Sequence, residues 1–170
     1  MTRINAARDI RTSIGTDRET ATMGEASETS ELQGQCLCGA VTVTATPERP
    51  HIEACHCDMC RRWGGIAFVG VQCGQNVAFT GEDHIARYAS SDWAERGFCS
   101  KCGTNLFYRF VPADNYSLLA GLFADTGDLA LVEQIFIDEK PGWYDFAQDT
   151  PKKTGAEVIA EAKAAGFEFD

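Results

Sequence analysis

Seven of the eight cysteines in this chain fall into three tight clusters, Cys36-Leu-Cys38-Gly39, Cys55-His-Cys57-Asp-Met-Cys60 and Cys99-Ser-Lys-Cys102-Gly103. Thiols spaced this way require distant segments to meet around them. The outer clusters are alike: each pair runs into a glycine and then into an alternating stretch, Ala40-Val-Thr-Val-Thr44 after the first and Thr104-Asn-Leu-Phe-Tyr108 after the second. Glycine there suits a tight turn, where positive φ is cheap and backbone N–H groups point at thiolates. The two pairs read as halves of one four-sulfur centre. In the middle cluster an extended Cys-x-Cys puts both sulfurs on one side, and Cys60 swings round on a turn to complete a three-sulfur cup. Zinc takes four tetrahedral ligands where it is structural and keeps one position open where it is catalytic. The count predicts two zinc ions per chain, one closed by Cys36, Cys38, Cys99 and Cys102, the other left open by Cys55, Cys57 and Cys60.

Disulfides are the competing use of clustered cysteines. Residues one apart are poorly placed to bridge each other, and the N-terminus has no apolar h-region of a secretory signal. The expected compartment is the reducing cytoplasm, where such clusters serve metals.

A chain of 170 residues with 44% hydrophobic and 10% aromatic content is one domain's worth. Met1 to Ser30 hold no Phe, Trp, Tyr, Leu or Val, so residues 1–30 are expected to form a disordered tail. Asp9, Asp17 and Glu19 interrupt Arg3, Arg8, Arg11 and Arg18, against a transit peptide, and Met23 offers an alternative start. From Glu31 onward, short apolar or alternating runs between Gly, Pro, Asp and Asn predict closely spaced strands. The candidates are 41–45, 66–72, 76–80, 84–89, 106–110, 116–123 and 129–137. Thr154 as N-cap, Glu157 as its capping-box partner and an Ala-rich run to Ala165 predict one C-terminal helix. The predicted organisation is a mainly β, zinc-binding domain over 31–150 with a helical extension over 151–170.

No apolar run is long enough to span a membrane. A net charge of −10 disfavours nucleic acid, whose phosphates reward clustered Lys and Arg. The one basic concentration, Arg61-Arg62, sits beside the open centre. The sequence carries no signal of oligomeric state.

Taken together, Cys36-x-Cys38-Gly-x-Val41, Cys55-His-Cys57-x-x-Cys60-Arg61-Arg62 and Arg96-Gly-Phe-Cys99-Ser-Lys-Cys102-Gly-Thr-Asn-Leu-Phe107 resemble the glutathione-dependent formaldehyde-activating enzyme family, from about Gln33 to Ile137. The resemblance implies an Mss4-like fold of antiparallel sheets around a structural zinc on Cys36, Cys38, Cys99 and Cys102. It implies a second, catalytic-type zinc on Cys55, Cys57 and Cys60. It also implies glutathione as cosubstrate and a carbon–sulfur lyase reaction of the S-(hydroxymethyl)glutathione synthase type, with a small thiol and an aldehyde as partners.

A thiol arriving at such a metal loses its proton, and the thiolate attacks an aldehyde carbon. Arg61 and Arg62 suit the carboxylates of glutathione, or they only balance thiolate charge and pair with nearby acids. Arg96 is expected to brace the four-sulfur centre three residues on. His56 should point away from the sulfurs, and His51 and His84 carry no pattern. Cys73 is either a small core residue or a fourth ligand to the second zinc. Trp143 and Tyr144 either form a lid or cover the end of the sheet. Trp63-Gly64-Gly65 is either a close-approach turn for a ligand or the bend into the next strand. Two other functions fit the same residues: a protein-binding module with two structural zincs, and a redox or metal-handling site at the middle cluster.

Overall fold

The computed structural model describes residues 30–47, 50–126 and 129–168. The tail expected over 1–30 lies, but for Ser30, outside them. The elements in order are β1 (Leu32–Gln35), β2 (Thr42–Ala45), β3 (His51–Cys55), α1 (Asp58–Gly64), β4 (Phe68–Gly74), β5 (Val77–Thr80), β6 (Ile85–Ser91), β7 (Ala94–Cys99), β8 (Asn105–Phe110), β9 (Asn115–Leu119), β10 (Ala130–Ile135), β11 (Lys152–Lys153) and α2 (Gly155–Ala164).

Two sheets result, one of three strands in the order β1-β2-β5 and one of eight in the order β11-β10-β3-β4-β9-β8-β7-β6. All pairings are antiparallel except those of β10, which runs parallel to both β3 and β11. The predicted mainly β class with antiparallel sheets and a short C-terminal helix is what the chain adopts. Among the described residues, no helix is long and apolar enough to cross a membrane.

Alternation along the strands builds the core. Val43 and Ala45 of β2 are buried, with Thr42 and Thr44 more exposed between them. The inward residues of the small sheet, Leu32 and Val43 among them, pack on Val71, Cys73, Leu106, Phe107 and Leu118 of one face of the large sheet. Phe107 is fully buried, with its ring centroid 5.4 Å from Phe79 and 5.2 Å edge-on from Tyr116. Burying a side chain of this size contributes about 1.5–3 kcal/mol. Gly97 makes room for it, because a Cβ there would lie 2.2 Å from the Phe107 ring. A ring held between Phe79 and Tyr116 has nowhere to go. Gly97→Ala is therefore expected to destabilise the protein by about 3 kcal/mol, lowering Tm by roughly 6–12 °C in thermal unfolding followed by circular dichroism.

Seven predicted strands are present with shifted ends. The run 116–123 stops at Leu119, because Ala120–Leu122 form a 3-10 turn. β1, β3, β7, β11 and α1 were not predicted as elements. In β3 and β7 the alternation is carried by Glu53, Cys55, Glu95 and Gly97, not by apolar residues, which hides it. The turn expected at Cys60 is the short helix α1. Its C-cap Gly65 has a φ of 81° and its N–H bonds to the Arg61 carbonyl at 2.8 Å, so this glycine bends the chain into β4. The C-terminal helix has its capping box: the Glu157 N–H donates to Thr154 Oγ1 at 3.3 Å, and the Thr154 N–H donates to Glu157 Oε2 at 2.7 Å.

Candidate active site and metal centres

The first centre lies where the turn between β1 and β2 meets the turn between β7 and β8. The Gly39 N–H bonds to the Cys36 carbonyl at 3.0 Å and the Gly103 N–H to the Cys99 carbonyl at 2.8 Å. Both glycines have positive φ, 73° and 75°, as the sequence required. The Val41 N–H points at Cys36 Sγ, 3.3 Å away. The four sulfurs lie within 4.8 Å of one another, with Cys36–Cys38 at 3.6 Å and Cys38–Cys99 at 3.9 Å. A zinc ~2.3 Å from four tetrahedral sulfurs sets them about 3.8 Å apart. These distances suit a shared cation, and none of the eight cysteines is in a disulfide.

The second centre lies across the large sheet. Cys55 ends β3, Cys57 is the N-cap of α1 and Cys60 sits inside that helix, with their sulfurs within 4.8 Å of one another. The packing sets the protons at odds: hydrogen bonds from Cys55 and Cys60 hold Cys57 down to about 2. Cys55 is driven up by contact with Cys57 and Cys60 and by burial. Cys60, despite its bond with Cys55, is raised to about 11 by Cys57 and burial. Three thiols that resist ionising together are the donor set a cation satisfies, releasing their protons. Both clusters can thus hold metal ions.

Arg96 was expected at the first centre and belongs to the second. It stands three residues before Cys99 on β7, an odd spacing that puts the two side chains on opposite faces of the strand. Its Nη2 donates to Cys60 Sγ at 3.6 Å, and the guanidinium lies 5.1 Å from the Trp63 ring and 5.5 Å from that of Tyr108. Arg96 is only 4% exposed, yet its Nη1 has no hydrogen-bond partner. Arg61 and Arg62 are turned elsewhere. Arg61 Nε donates to the His56 carbonyl at 2.9 Å, while Arg62, 80% exposed, pairs with Asp58 at 3.1 Å.

His56 does point away from the sulfurs. It is wholly buried, its Nε2–H donates to Gln134 Oε1 at 3.0 Å, and the Tyr144 hydroxyl donates to Nδ1 at 2.6 Å. Burial lowers its pKa and keeps it neutral. Tyr144 and Phe146 therefore pack on His56 and not over the sulfurs, while Trp143 remains exposed. Cys73 is buried in the core, 3.5 Å from the Val71 carbonyl, and is no part of the three-sulfur group. Gln72 beside it points to the face of the large sheet opposite the core, so Cys73 faces away from that side.

A cavity of about 540 Å³ opens from Cys55, Cys57 and Cys60 across the large sheet, on the face opposite the core. Gln72, Ser117 and Tyr108 form its floor and α2 its roof. Burial pushes the Tyr108 phenol well up, so it stays protonated. Glu53, which the sequence reading passed over, also lines it. Its Oε1 is 2.9 Å from His51 Nε2, and its Oε2 accepts from Gln72 Nε2 at 2.9 Å. The signal was present: Glu53, Cys55 and Cys57 stand two apart, the spacing of one strand face.

Fold and site define a cysteine-rich sheet protein with one closed thiolate centre and one open to a cavity. Residues 31–139 match the family model of the glutathione-dependent formaldehyde-activating enzyme. The chain is also 38% identical over 130 residues to an uncharacterized lyase of Schizosaccharomyces pombe, covering 76% of this chain and 95% of that protein. It belongs to the glutathione-dependent formaldehyde-activating enzyme family. A solved structure of a Rhodobacter sphaeroides protein shares the fold, with a TM-score of 0.50 and 20% identity over 59% of this chain and 100% of that one.

Proposed function

We propose that this protein is a cytoplasmic carbon–sulfur lyase with two zinc ions, acting on the adduct of glutathione or a similar small thiol with formaldehyde or a related aldehyde. The observation that carries this reading is the three-sulfur group of Cys55, Cys57 and Cys60, which opens on a cavity beside a buried arginine with an unpartnered nitrogen.

Zinc on these sulfurs supplies a Lewis acid that favours the thiolate form of the substrate sulfur. In the lyase direction Glu53, steadied by His51 and Gln72, accepts the hydroxyl proton of the adduct. The carbon–oxygen double bond forms, the carbon–sulfur bond breaks and its electron pair leaves on sulfur; the reverse sequence makes the adduct. Arg96 offers Nη1 to the oxygen on which charge develops, a charge-assisted bond in a site shielded from water. Arg62 is available to a carboxylate of the thiol outside the cavity, and Arg61 braces the cluster through the His56 carbonyl.

Exchange NMR of formaldehyde, thiol and adduct tests the reading on protein purified under reducing conditions. Exchange faster than in buffer is expected, and an uncatalysed rate overturns the reading. Glu53→Gln should lower kcat by about 10²–10⁴ with metal content and Tm unchanged, since a positioned proton acceptor contributes that much. Arg96→Lys keeps the charge but loses the planar fork, and kcat/KM should fall by about 10²-fold with metal retained.

A further inference from the structure

A hydroxymethyl group is a single carbon and its oxygen, and the cavity far exceeds it. A volume of about 540 Å³ falls in the range that encloses a drug-sized ligand. Its polar groups are gathered near the sulfurs, where Arg96, Asp58 and Glu139 stand, and along the sheet, where Glu53, Gln72, Asn115 and Ser117 stand. Away from them the walls are apolar. Phe68 and Phe110 stand on the sheet, and Val158, Ile159, Ala162 and Phe167 come from α2 and the residue run after it. Phe167 meets Phe110 edge-on at 4.8 Å, fixing the roof to the sheet. This roof lies beyond residues 31–139, the part that matches the family. It encloses the space next to the three sulfurs.

Charge decides which half of an adduct enters. Glu53 and Glu139 line the cavity, and Asp58 beside them is already paired with Arg61 and Arg62. Among the described residues Arg96 is the one Arg or Lys of the lining, so the cavity has no spare cation for the carboxylates of a thiol such as glutathione. The aldehyde-derived half carries no such charge.

Building on the lyase reading, we infer that this protein's substrates are thiol adducts of apolar alkyl or aryl aldehydes several carbons long, whose hydrocarbon portion lies between the large sheet and α2. The step balances as before. In the adduct of R–CHO the carbon–sulfur bond breaks as the carbon–oxygen double bond forms, giving R–CHO and the thiol, with the hydroxyl proton ending on sulfur.

Two measurements on the full chain test this. Titration calorimetry with S-methyl-, S-butyl- and S-hexylglutathione, which are stable thioethers, should show affinity rising about three- to fourfold per methylene. The ratio of kcat/KM for the hexanal adduct to that for the formaldehyde adduct should exceed tenfold. It should collapse towards one in Ala162→Phe, which fills the cavity, and in Ile159→Gln, which makes its wall polar without adding bulk.

Turnover of the formaldehyde adduct with no gain for hexanal, or a ratio that neither variant moves, overturns the substrate class and leaves the lyase reading standing. Turnover of neither adduct overturns the lyase reading, and calorimetry then judges the cavity separately. A flat thioether series removes the apolar pocket too, whereas a rising series retains it as a binding site.

Discussion

Cys57→Ser is expected to lower bound zinc from two equivalents to about one and to reduce turnover of the thiol–aldehyde adduct about a thousandfold or more, leaving the fold intact. The size follows from losing a Lewis acid worth several kcal/mol of transition-state stabilisation. The position makes this a clean test. Cys57 is the N-cap of α1, and its side chain caps no backbone N–H. Serine is among the preferred N-cap residues, so the exchange helps the helix start while removing a soft thiolate ligand. Elemental analysis of the purified variant, thermal unfolding and adduct exchange by NMR read the three quantities separately. Unchanged turnover would sink the mechanism. An unchanged metal count would show that Cys57 is not a ligand.

Cys99→Ser should do the opposite, destroying stability before chemistry. Cys99 is wholly buried and ends β7, where its carbonyl closes the turn to Gly103 and its sulfur faces Cys38 across the first centre. A structural zinc contributes about 10–16 kcal/mol of apparent binding energy in small zinc domains. That is comparable with the whole stability of an ordinary domain, about 5–15 kcal/mol. Here the same ion would join the turn that launches β2 to the large sheet. The expected result is loss of the cooperative thermal transition, or a fall in Tm of more than about 20 °C. A variant with native melting and one zinc fewer would show that sheet packing alone holds the fold.

The two centres were legible because metal ligation is written locally: Cys-x-Cys and Cys-x-x-Cys bring sulfurs together by backbone geometry alone. Cys73 was separable from them once Gln72 was seen to face the cavity. Arg96 was misassigned because closeness in sequence to Cys99 outweighed the parity of the strand, which puts residues three apart on opposite faces. Glu53 was passed over because β3 presents polar and sulfur-bearing side chains where a half-buried strand normally shows aliphatic ones. The cavity roof could not be read from the chain. The helix was predicted from its capping box, but its place above β8 follows from the Phe167–Phe110 contact and from the parallel pairing of β11 with β10, which are long-range. Local rules describe an element, and only tertiary packing says what it covers.

The opposed orientation of Gln72 and Cys73 on β4 has a bearing on how such a protein changes over generations. One added residue just ahead of Cys73 would turn every following side chain of the strand to the other face. A thiol would then look into the cavity, while Gln72, which precedes the insertion, keeps its place there. Cys73 lies five residues along β4 from Phe68, which pairs with Cys55, so such a thiol would enter the cavity far from the three sulfurs. An indel at this place would give the substrate space a new reactive group while leaving the ligand count at three.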